Sequence, residues 1–301
     1  MSGPLTPHPD PPRRAPSRER DGNPDQGGRE RANRPPLAAA RRIWGLMYRH
    51  LALYRRSWPR LLELAYWPTL QMCIWGFTAS FFATRLGSSG AVAIGLLLGA
   101  VLLWEISLRS QMGVSIGFLE EIWSRNLGHV FVSPLRPWEL VAALIVISVL
   151  RTAAGVAPAA VLAWVLYAYN LLGFGLPLVP FVVNLMVMGW AVSLAVVSLI
   201  LRHGAGAEAL AWSVLFGLTP FSAVFYPVSV LPAAMRPVAL ALPSAHVFEG
   251  MRAALAGGGV DWSEVAWASG LNVVWVAGAA LLFAWQFRAA RERGALLTIG
   301  E

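Results

Sequence analysis

Fifty consecutive residues, Thr152 to Leu201, contain no charged side chain. Drawn as one helix at 1.5 Å per residue, this stretch would be about 75 Å long, more than twice the roughly 30 Å hydrocarbon layer of a bilayer. It is therefore expected to cross a membrane twice. The turn chemistry lies at Asn170-Leu171-Leu172-Gly173-Phe174-Gly175-Leu176-Pro177, with one span before it and another from Leu178 to Leu201. Further uncharged windows run from Leu64 to Thr84, Leu86 to Trp104, Leu140 to Leu150 and on past Arg151, Ala209 to Met235, and Val265 to Phe287. Together they predict six spans, at about 62-84, 90-112, 140-168, 178-201, 207-231 and 264-287.

Composition agrees: only 13% of the 301 residues are charged, about half the usual quarter, and mean hydropathy is +0.56. The sequence contains no Lys, and this excludes two chemistries. A phosphate-binding P-loop needs its Lys to reach the β and γ phosphates, and Schiff-base catalysis needs an amine. The single Cys73 excludes an internal disulfide, a thiolate metal cluster and a CxxC redox pair.

Residues 1-36 hold nine prolines, seven Arg and five acids, with no Phe, Trp, Tyr, Ile or Val. Such a segment cannot bury enough apolar surface to offset chain entropy and reads as a disordered cytosolic tail, with no apolar signal-peptide core. Its interleaved acids argue against a nucleic-acid partner. The membrane domain then occupies 37-293 and a short cytosolic C-terminus 294-301. With the N-terminus inside, thirteen Arg of the connections face the cytosol and only Arg85, Arg236 and Arg252 lie outside. That bias puts both termini on the cytosolic face of the cell membrane.

Three segments outside the spans carry the functional expectations. From Ala38 to Trp58, Ile43, Met47, Leu51, Tyr54 and Trp58 recur at helical spacing with Arg42, Gly45, Arg49 and Arg56 opposite, which predicts a basic amphipathic helix in the headgroup layer. From Phe118 to Val132, Leu119, Ile122, Trp123, Leu127, Val130 and Phe131 face Glu120, Glu121, Ser124, Arg125 and Gly128. Ser133-Pro134 and Arg136-Pro137 then end the pattern. This predicts a short cytosolic coupling helix with Glu120, Glu121 and Arg125 on its polar side. Outside, breaks at Pro227 and Pro232 precede a short helix capped by Ser244 that carries His246, Glu249 and Arg252, an external re-entrant gate over a cavity.

Within the spans the ionisable groups are Glu105, Arg109 and Arg151. Arg151, about 18 Å into its span, needs a partner or water. Glu105 on the neighbouring span is the expected partner. Two other arrangements stay open: Arg151 reaching toward the cytosol, and Glu105 pairing with Arg109 four residues on. One buried carboxylate offers no catalytic constellation. His246 and Glu249 supply two ligands where zinc takes three or four, so no metal site is expected. Gly95 with Gly99, and Gly113 with Gly117, have the spacing that lets helices approach closely, and internal packing is the expectation.

The amphipathic first helix, the six spans, the run Phe118-Leu119-Glu120-Glu121-Ile122-Trp123-Ser124-Arg125 ahead of Ser133-Pro134-Leu135, and the break Phe225-Tyr226-Pro227-Val228-Ser229-Val230-Leu231-Pro232 leading to His246, Glu249 and Arg252 resemble the type-2 ATP-binding-cassette (ABC) permeases. Nodulation-factor, polysaccharide and drug exporters belong to that family, and the likeness covers about residues 38 to 293. It implies an all-α polytopic membrane protein, a permease that dimerises and docks ATP-hydrolysing subunits through the cytosolic helix. The chain would then bind no cofactor itself, ATP and Mg belonging to the partner. An ion-coupled secondary carrier and an intramembrane enzyme are the alternatives. The first would need more buried acids and paired broken helices, the second converging catalytic groups.

Overall fold

The computed structural model describes residues 36–86, 90–124 and 136–293, which form helices and turns with no strand among them. Helix α1 (Pro36–Arg56) precedes four long helices, α2 (Trp58–Leu86), α3 (Gly90–Trp123), α4 (Pro137–Tyr167) and α5 (Leu178–His203). The short α6 (Glu208–Leu218), α7 (Arg236–Leu240) and α8 (Pro243–Ala253) follow, and α9 (Trp262–Glu292) closes the series. Local chemistry sets several ends. Pro137 opens α4, its fixed φ suiting a first helical position. Gly204, at φ 70°, terminates α5, and the Asp261 carboxylate accepts from the Ser263 N–H at the start of α9.

Among the described residues four helices are long and apolar enough to cross a membrane: Ile94–Trp123, Pro137–Tyr167, Leu178–His203 and Trp262–Glu292. They match four of the six expected spans. The expected span 62-84 falls within the 29-residue α2, whose Glu63, Pro68 and Gln71 dilute its apolar character. The expectation for 207-231 needs correction. Helix there covers only Glu208–Leu218 and a 3-10 turn through Phe221, about 21 Å against roughly 30 Å of hydrocarbon. Thr219-Pro220 and the left-handed Ala223, at φ 57°, end it.

The central helix is α3, buried without interruption from Leu98 to Leu108. It is antiparallel to α4, with Gly113 against Ser148 and Gly117 against Leu144. It is parallel to α5, since Ser107 donates to the Leu185 carbonyl and Ser115 bonds Ser193 at the same 78-residue offset. Gly95 and Gly99 receive the Tyr169 ring, so both glycine pairs pack inside the chain. At the periphery α9 buries only Ala268, Asn272, Ala279, Gln286 and Ala290.

Candidate functional site

Charge is concentrated where α1 meets the end of α3 and the start of α4. Two residues of the basic stripe of α1, Arg42 and Arg49, engage carboxylates of the protein in place of the headgroups expected. Arg42 donates from Nε to Glu139 Oε2 at 2.9 Å, Arg49 pairs with Glu121, and His50, 1% exposed, lies 3.2 Å from Glu121 and 3.8 Å from Glu120. Trp44, Tyr48 and Leu51 turn outward, as does Arg41. Three carboxylates, two of them fully buried, outweigh what the headgroup layer offers a guanidinium, because a charge-assisted bond in a low dielectric is stronger than one in water. The bonds from Glu139 hold the Arg42 guanidinium above its ordinary value, whereas burial pulls Arg49 down against the attraction of Glu120. Glu139 also accepts the Arg136 N–H at 3.0 Å, so one carboxylate both starts α4 and anchors α1.

The expected coupling helix is corrected in part. Residues 118–123 are the last turns of α3, not a separate surface helix, and Phe118, Leu119, Glu121 and Ile122 are buried. Of the expected apolar stripe Leu119 and Ile122 pack against protein, Trp123 is exposed, and Leu127, Val130 and Phe131 lie outside the described residues. Arg125 and Ser133-Pro134 lie outside the described residues. Glu120, half-buried, reaches inward to Arg151 Nη2 at 2.9 Å.

That contact overturns the expected pairing of Arg151 with Glu105. Glu105 instead pairs with Arg109 on its own helix at 3.6 Å. The direction of the Cβ atoms explains it, since helical side chains lean toward their own N-terminus. On antiparallel helices Arg151 leans toward the end of α3 and Glu120 leans back to meet it, while Glu105 leans away. The α3 helix also continues eleven residues beyond Met112, so Glu105 stands farther from its end than the uncharged window suggested. Arg151 adds a bond to the Gly113 carbonyl at 3.4 Å, and Arg109 lies beside Gly155 of α4. In a double-mutant cycle read by thermal unfolding in detergent, Glu120→Gln and Arg151→Gln are expected to be coupled by about 1 kcal/mol. Glu105→Gln with Arg151→Gln should be additive; coupling in that pair alone would contradict the assignment.

At the opposite end, α8 pins the broken backbone between α6 and α9. Glu249 accepts the Val228 N–H at 2.7 Å, just after Pro227. Arg252 donates to Glu249 at 3.3 Å and to the carbonyl of the left-handed Ala223 at 2.9 Å. Arg236 donates to the carbonyls of Ser229 and Leu231, the latter just before Pro232. His246 bonds Glu264 through Nδ1 at 2.7 Å and meets the Leu240 carbonyl at 3.0 Å. Backbone freed from helix at membrane depth must find partners within the protein, and these side chains supply them. His246 and Glu249 thus hold different partners and do not converge. The α8 helix starts at Pro243 with Leu242 as its cap, which corrects the assignment of Ser244; proline at the first helical position sets the start there. Phe248 packs on Trp104 and Gly99 faces Met251, so α8 rests nine to fourteen residues along α3 from its first residue.

Long apolar helices around a polar-laced central one, with broken backbone held inside the bundle, define the class: a multi-pass α-helical membrane protein. A family model described as "ABC-2 type transporter" matches residues 41–256, well over half of the chain, and the chain belongs to that family. It is a membrane component of an ABC-type transporter. A search of curated proteins returned no match.

Proposed function

We propose that this chain is the permease subunit of an ABC exporter, forming the substrate pathway as a homodimer in the cell membrane with both termini cytosolic and six crossings, the fifth made by the short α6 together with the pinned backbone that follows it. A separate ATP-binding-cassette subunit, holding ATP and Mg, powers it from the cytosolic face. The observation that carries this reading is the ion-paired base, where Arg42, Arg49, Glu120, Glu121, Glu139 and Arg151 join α1, α3 and α4 beside the 125–135 connection. A push on that connection reaches three helices together. The absence of Lys supports a separate ATPase, because the chain has no P-loop Lys. In this reading Glu120 and Glu121 transmit force inward, and Arg125 belongs to the docking segment. The charges Glu105, Arg109 and Arg151 hold the helices around the pathway, and the segment pinned by His246, Glu249 and Arg252 is its outer gate.

The test is reconstitution. The purified chain is expected to hydrolyse no ATP, and co-expression with its ABC subunit should yield a complex with vanadate-sensitive hydrolysis and nucleotide-dependent transport. ATP hydrolysis by the isolated chain, or transport driven by an ion gradient without nucleotide, would overturn the reading.

A further inference from the structure

A cavity of about 190 Å³ opens between α3, α4, α5 and α9, apart from the charged base, with Val114, Ile145, Val187, Trp190, Leu194 and Val276 among its walls. The lining is apolar throughout except for the Trp190 indole N–H, which is already donated to Ser148 Oγ at 3.1 Å. Water entering it would find no partner, although the space is ample. The cavity is not sealed. Val276 at its edge and the neighbouring Val273 and Val274 face outward on α9. Val276 sits 14 residues after Trp262 and 16 before Glu292, so the mouth opens at the middle of a span, where hydrocarbon is the surrounding solvent.

A second observation identifies what enters. Asn272 donates to Asn184 at 2.8 Å, an offset of 88 positions between α9 and α5. The cavity contacts, Val276 beside Val187 to Ala191, keep the same sense, so the two helices run parallel. Carried to their C-terminal ends, this register puts Arg202 level with Ala290, between Arg288 and Arg291. All three guanidinium-bearing residues are exposed, as is His203; Glu208 and Glu292 are the acids at that end. Leu194 to Arg202 is about 12 Å along α5 and Val276 to Arg288 about 18 Å along α9. One leaflet, half of roughly 30 Å, falls between these values.

We propose that the groove between α5 and α9 holds an anionic phospholipid of the leaflet at their C-terminal ends. One acyl chain fills the cavity, and the phosphate sits among Arg202, Arg288 and Arg291. The guanidinium fork suits phosphate, and the apolar cavity takes only a hydrocarbon chain. This site is independent of the transport reading.

The full chain in nanodiscs, doped with phosphatidylglycerol or phosphatidylcholine carrying a diazirine at the chain terminus, tests it by photolysis and peptide mass spectrometry. Adducts are expected on α5 between Val187 and Leu194 and on α9 around Val276, at least fivefold more from phosphatidylglycerol, and unlabelled phosphatidylglycerol should suppress them saturably. Arg202→Gln with Arg288→Gln should bring the two lipids within twofold of each other. Val276→Trp, which plugs the mouth, should cut both at least fivefold; if that variant fails to express, saturable competition on the unmodified chain decides. Adducts spread evenly over outward faces such as Trp164 and Leu281, no preference for the anionic lipid, or no saturation would overturn the proposal.

Discussion

Replacing Glu121 with alanine is expected to destabilise the folded protein by about 3 kcal/mol, because breaking a buried ion pair from one side leaves an uncompensated charge. Glu121 is fully buried at the end of α3, with Arg49 on its carboxylate and His50 at 3.2 Å. Its loss takes the nearest carboxylate from Arg49 and from His50, which is 1% exposed. Arg49→Ala should cost less, since the Arg49 side chain is 40% exposed and its partner retains His50 beside it. Thermal unfolding of the detergent-solubilised chain measures both. The exchange Glu121→Arg with Arg49→Glu should recover part of the loss. Equal stability of Glu121→Ala and the parent chain would remove the ion-paired base from the account of how α1 is held.

The second large effect is expected at Gly189, where α5 crosses α3. A Cβ at this position would lie 2.7 Å from the Ser107 carbonyl oxygen and 2.9 Å from the Ser110 Cβ. The first obstacle is backbone and cannot rotate aside, so Gly189→Leu must push the helices apart. Over-packing of this kind costs about 3 kcal/mol, and it would also stretch the Ser107 to Leu185 and Ser115 to Ser193 bonds that fix the register. Gly270→Ala on α9 is the control: with nothing within 4 Å of its added Cβ it should cost no stability, and the higher helix propensity of Ala should add up to about 1 kcal/mol. A folded, monodisperse Gly189→Leu protein with parental stability would show that this crossing tolerates separation.

Much of the architecture was legible before any coordinates. The long uncharged run divides at Leu171–Phe174, inside the stretch whose turn residues pointed to it, and α5 starts at Leu178. The prolines at 227 and 232 flank the 3-10 turn Val228–Val230, each removing a backbone donor, but the helix before them already ends at Leu218. Other features were hidden. No pattern within α1 distinguishes a basic stripe facing headgroups from one facing carboxylates, because the acids it meets lie 72 and 97 positions away. Glu139 was passed over for the same reason; its one local signal, a carboxylate two residues after Pro137, reads as a helix start and nothing more. The apolar stripe from Phe118 to Ile122 is the same whether it lies on lipid or on protein.

The sequence by itself determined that this chain belongs in a bilayer, because hydrocarbon excludes charge and four of the uncharged windows lie in long apolar helices, although the window after Ala209 does not. It also determined that the chain has no P-loop Lys, since a missing residue type needs no structure to interpret. Only the tertiary structure decided which partner each charge holds: Arg151 with Glu120 and not Glu105, Arg49 with Glu121, Glu249 with the backbone at Val228. Pairing depends on which helices are neighbours, whether they run parallel or antiparallel, and which way their side chains lean. Those are relations between distant segments, and no local pattern of residues records them.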